Sequence, residues 1–102
     1  MRTEDITVTS FRIYDAPRLD PIIVIVEEAT NSGSITITCY GLAWTAYFGA
    51  CGDIWEFLVE CNPEYLESKL SRKYATKREY EFERKYVVRI ITAVQEAIQE
   101  RI

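Results

Sequence analysis

Catalysis and metal binding need particular side chains at workable spacings. The 102-residue chain contains no histidine. That removes the commonest general base and the commonest metal ligand. It also removes any Ser-His-Asp or Cys-His site. The three cysteines, Cys39, Cys51 and Cys61, are spaced twelve and ten positions apart. No Cys-x-x-Cys pair occurs, so neither a zinc ribbon nor a thioredoxin-type centre fits. An odd count closes no disulfide framework, and free thiols in a reducing compartment are expected. Glu27 and Glu28 adjoin in an extended stretch and point to opposite faces. Glu56 and Glu60 lie one helical turn apart and read as a solvated pair. The glycines form neither G-x-G-x-x-G nor a phosphate loop. Gly49-Ala50-Cys51-Gly52 precedes a helix start, where backbone N–H groups bind anions, but Asp53 competes for the same donors. No catalytic residue, metal or cofactor is expected.

Charge and aromaticity point elsewhere. The net charge is −4, yet its distribution is uneven. Residues 53–67 carry five acids and no base, and residues 69–85 carry seven bases against three acids. The plain reading is that the two segments neutralise each other. The functional reading is a nucleic-acid contact made by Arg72, Lys73, Tyr74, Lys77 and Arg78, with the tyrosine (and Tyr80) stacking on bases. Interleaved glutamates and a pI near 4.9 disfavour it. Aromatic residues reach 13%, more than a thin core needs, and Trp and Tyr favour interfaces. In the segment 44–53, Trp44 and Phe48 read as core. Tyr47 falls on the opposite face. With Thr36, Thr38 and Tyr40 it forms the candidate protein-binding surface.

The elements that must position these residues follow from periodicity. Hydrophobic residues at 48% and charged residues at 27% place the chain in the folded class, and its length predicts one domain over 1–102. Alternating β-formers predict strands at 5–14, 21–28, 34–41 and 43–49. A bulge near Ser10 would explain why the apolar side of the first strand changes midway. Asn31-Ser32-Gly33-Ser34 reads as the turn between the second and third strands. Thr7 and Thr9 are candidates to join the Thr36/Thr38 face. Asp53, Asn62 and Thr76 are capping residues, followed by apolar stripes at helical spacing. They predict helices at 53–61, 63–71 and 77–101. Four strands followed by three helices predict an α+β fold: an antiparallel four-stranded meander with two short helices and one long C-terminal helix packed on one face.

A helix over 77–100 is roughly 36 Å long, about as wide as a domain of this size. It either crosses the sheet or overhangs it. An overhang would offer Val94, Ile98 and Ile102 to a second copy, and a homodimer through the C-terminal helix or through a sheet edge is expected. The opening MRTEDITVT lacks the apolar run of a secretory signal, and residues 21–26, the longest apolar run, are far below the ~20 needed to span a bilayer. A cytoplasmic location without membrane association is expected.

Five segments carry a resemblance: residues 5–13 (DITVTSFRI), 19–22 (LDPI), 34–41 (SITITCYG), 44–49 (WTAYFG) and 61–70 (CNPEYLESKL). The chain resembles a family of small proteins encoded by temperate bacteriophages and prophages of enteric bacteria. The resemblance implies an accessory protein working inside the bacterial host by binding a host or phage protein. It names no chemistry and no functional residue. The expected function is therefore non-enzymatic protein binding, as an inhibitor or modulator. The alternatives are nucleic-acid association through residues 69–85, and a minor virion or assembly component.

Overall fold

The computed structural model describes residues 1–70 and 76–101. Four strands, β1 (Thr7–Ile13), β2 (Ile22–Ala29), β3 (Ser32–Cys39) and β4 (Leu42–Gly49), are followed by three helices, α1 (Ile54–Glu60), α2 (Pro63–Lys69) and α3 (Lys77–Arg101). The strands form one antiparallel sheet in chain order. This is the α+β meander that the alternation and the caps predict.

One sheet face is the core face. Ile22, Val24 and Val26 of β2, Ile35, Ile37 and Cys39 of β3, and Trp44, Ala46 and Phe48 of β4 are all buried there. The period of two follows from the pleat, and the helices cover this side. From α1 and α2 come Ile54, Leu58, Leu66 and Leu70, and from α3 Val87, Ile90, Ile91, Val94 and Ile98.

The hairpin turns differ in part from the sequence reading. The link between β2 and β3 is Thr30-Asn31, with Asn31 at φ 55. Ser32 and Gly33 already belong to β3, where Gly33 pairs with Glu28. A glycine is needed there because a Cβ would lie 2.7 Å from Cγ1 of Ile54, so α1 rests directly on the strand backbone. Tyr40-Gly41 joins β3 to β4, with φ of 52 and 77, the signs of a type I′ turn. Tyr40 is thus a turn residue and not the end of a strand. The bulge expected near Ser10 is absent: Thr7 to Ile13 pair one to one with Glu28 to Ile22. That register also places Thr7 and Thr9 on the helix-covered side, and Val8, Ser10 and Arg12 on the other.

Each helix starts at its expected cap. Asp53 Oδ1 accepts from the N–H of Trp55 at 2.8 Å, Asn62 Oδ1 from that of Glu64 at 2.8 Å, and Thr76 Oγ1 from that of Glu79 at 3.0 Å. α3 has 25 residues, hence about 37 Å of length, against a longest molecular extent of 42 Å. The helix crosses the molecule. Val94 and Ile98, expected as dimer contacts, are corrected to core residues; Ile98 is 0% exposed. Both point at the sheet because they continue the stripe of Val87, Ile90 and Ile91 at steps of three and four. Ile102 lies outside the described residues.

Candidate functional site

The sheet face away from the helices carries the predicted protein-binding residues. Strand register arranges it in rows: Val8, Glu27, Ser34 and Tyr47; then Ser10, Ile25, Thr36 and Thr45; then Arg12, Ile23, Thr38 and Ala43. Thr36, Thr38 and Tyr47 are brought together, as the alternation implies. Tyr47 is 72% exposed, and Thr36 and Thr38 are half-buried among their neighbours. Tyr40 is 80% exposed, but it stands at the turn beyond the rows rather than within them.

Local hydrogen bonds hold the polar side chains of this face flat. Ser34 Oγ donates to Glu27 Oε2 at 2.9 Å, and the hydroxyls of Thr36 and Thr45 share a hydrogen bond of 3.2 Å. On the same face, Ile25 beside Thr36 and Ile23 beside Thr38 are half-buried. The sequence reading overlooked both isoleucines, because a strand reading IIVIV is apolar on both sides and periodicity cannot say which side is left open. Val8 was overlooked because a bulge was expected beside it.

The basic segment divides. Arg72, Lys73 and Tyr74 lie outside the described residues. Lys77 and Arg78 are exposed at the start of α3. Other members of the segment have partners in this chain. Arg84 Nε is 3.5 Å from Oε2 of the buried Glu67, and Lys69 Nζ stands 5.5 Å from the centre of the Tyr65 ring. A hydrogen bond to Glu67, with burial, raises the pKa of Tyr80. Between α2 and α3 runs an open groove of about 560 Å³, where Arg84, Lys85 and Arg89 alternate with Glu64 and Glu81. Mixed charge suits a solvated helix pair better than a phosphate track.

No cluster of three or more Cys, Asp or Glu among the described residues could hold a metal ion. Burial, followed by the nearby Glu60, pushes the Cys61 thiol up, the opposite of what an attacking thiolate needs. Cys39 is buried with its sulfur 3.3 Å from Tyr86 Oη. The apolar cavity beneath the helices, lined by Ile37, Leu58, Leu66 and Ile91 among others, measures about 10 Å³, no more than the space of one water. No helix among the described residues is long and apolar enough to cross a membrane.

Comparison with known proteins gives one match. A family model described as a phage family matches residues 1–84. That span holds the whole sheet, α1, α2 and the start of α3. No curated protein and no solved structure matches the chain.

Proposed function

Because the chain belongs to a phage protein family, we propose that it is a phage accessory protein that acts without catalysis, by binding a host or phage protein through the open face of its sheet. One observation carries this reading. The face presents Tyr47, Val8, Ile23 and Ile25 among threonines, and its charges, Arg12 and Glu27, stand in the outer rows. Exposed aromatic and aliphatic side chains with few charges among them are the composition of a protein interface. The proposed setting is the bacterial cytoplasm.

The test is comparative affinity capture from the bacterial host, followed by mass spectrometry. A specific partner is retained by the native chain. Tyr47→Ala weakens it by at least roughly tenfold, as an aromatic anchor should, and Thr36→Lys, which sets a charge in the middle of the face, abolishes it. A partner held equally by the native chain and both folded variants would rule this face out.

Nucleic-acid association is the second reading, and it retains the exposed pair Lys77 and Arg78. It requires binding that weakens with salt, with a slope reduced when those two side chains are neutralised. Absence of binding to single- or double-stranded DNA and RNA at about 50 mM salt removes it. A virion or assembly role requires the protein in purified particles, and mass spectrometry of such particles decides that.

A further inference from the structure

The two edges of the sheet differ. β4 is closed on its core side: Trp44 is 1% exposed, Ala46 and Phe48 are buried, and the Phe48 ring lies 4.9 Å from that of Phe57 on α1. β1 is only partly covered. Its core-side residues Thr9, Phe11 and Ile13 are half-buried, and on the open side Val8 is 51% exposed, as is the preceding Ile6. The end of α3 reaches this edge, where the Arg101 guanidinium stacks 4.3 Å over the Phe11 ring. Beside that contact is an open groove of about 420 Å³, between Phe11, Ile13 and Tyr14 on one wall and Ala97, Glu100 and Arg101 on the other.

Free edges are normally protected by proline, by bulges or by several charges. β1 has no proline, its register is unbroken, and Arg12 is its one charge. We infer that β1 pairs antiparallel with β1 of a second copy, about a two-fold axis at Ser10, joining two four-stranded sheets into one of eight.

The sequence of β1 fits itself in this register. Thr7 faces the partner's Ile13, and Thr9 faces the partner's Phe11, so core-side β-branched and aromatic residues meet. Val8 faces the partner's Arg12, and no like charges stand opposite each other. Val8 is itself paired with Glu27. The partner's Arg12 therefore lies in the same row as Glu27, two strands away at about 9.6 Å, within the combined reach of the two side chains. All seven residues of β1 pair only when the axis passes through Ser10. Moving the axis to Arg12 would set two guanidiniums face to face. The grooves bearing Glu100 and Arg101 then lie at opposite ends of the paired strands, one from each copy, as an isologous interface requires.

This inference does not rest on the protein-binding reading. Its test uses the intact chain. At about 100 µM, where an edge interface of micromolar strength is saturated, light scattering is expected to give twice the chain mass of 11.9 kDa. Ser10→Lys sets two ammonium groups opposite each other at the axis. It is expected to raise the dissociation constant at least tenfold with an unchanged circular dichroism spectrum, because the Ser10 side chain is exposed. Ser10→Cys is expected to give a disulfide-linked dimer under mild oxidation that the native chain does not form. A native chain of single mass at that concentration would overturn the inference. So would a dimer that survives Ser10→Lys and is not cross-linked by Ser10→Cys.

Discussion

Tyr86 links α3 to the sheet through one polar contact, its hydroxyl lying 3.3 Å from the sulfur of buried Cys39. Burial, followed by this hydrogen bond, raises its pKa from 10.0 to about 12. A phenol that holds its proton more tightly when folded stabilises the fold fully below its unfolded pKa. That contribution is lost as pH rises through the folded value. Stability should therefore fall between about pH 10 and about pH 12. Tyr86→Phe has no proton to lose, so its thermal melting temperature should fall less steeply over that range. Some slope should remain, because Tyr80 and Cys61 are shifted in the same direction. An alkaline slope identical to that of the native chain would exclude this role. Cys39 was legible as a core thiol from its strand alternation. Tyr86 was not, because its partner is 47 positions away and no local spacing marks such a pair.

Single side chains of α3 also tie the helices to one another. Gln95 Nε2 donates to the carbonyl of Leu58 at 3.0 Å and to that of Cys61 at 2.7 Å. These belong to the end of α1, where carbonyls have no intrahelical partner. Gln95→Leu leaves both without that donor in a half-buried site. A loss of roughly 1–3 kcal/mol is expected, read from the urea midpoint. Amide exchange in α1 should rise more than in α2, and equal protection in both would argue against the link. The start of each helix could be read from its cap, since Asp53, Asn62 and Thr76 act on donors two or three residues ahead. The carbonyls at the end of α1, by contrast, depend on a residue brought in by folding. Glu67, from the acidic run 53–67, is buried against α3 with Arg84 beside it, an instance of the neutralisation expected between the acidic and basic segments.

In the molecule as a whole, α3 is a beam within the core, and its apolar stripe faces the sheet rather than a second copy. Ile98→Ala is therefore expected to lower stability by about 2–5 kcal/mol, the cost of a cavity at a fully buried site, without changing the oligomeric mass. Denaturation and light scattering on the same sample separate the two effects. A folded, equally stable variant that had lost its dimer would restore the helix-mediated contact. This sets the C-terminal stripe apart from the β1 edge, where Ser10→Lys should change mass and leave the protomer's fold intact.

Local rules in the sequence determined the element order, the three helix caps, the core side of β3 and β4 and the outward Tyr47. Each depends on a period of two, a period of about 3.6 or a cap acting within one turn. The missing histidine bounded the chemistry without any structure. Tertiary structure alone decided which side of β2 stays open, that β1 pairs without a bulge, that Gly33 is a seat for Ile54, and that the long helix crosses the sheet instead of overhanging it. These outcomes depend on register and on the limits of the helical layer. Both are set by contacts between segments far apart in the chain, which no local pattern encodes.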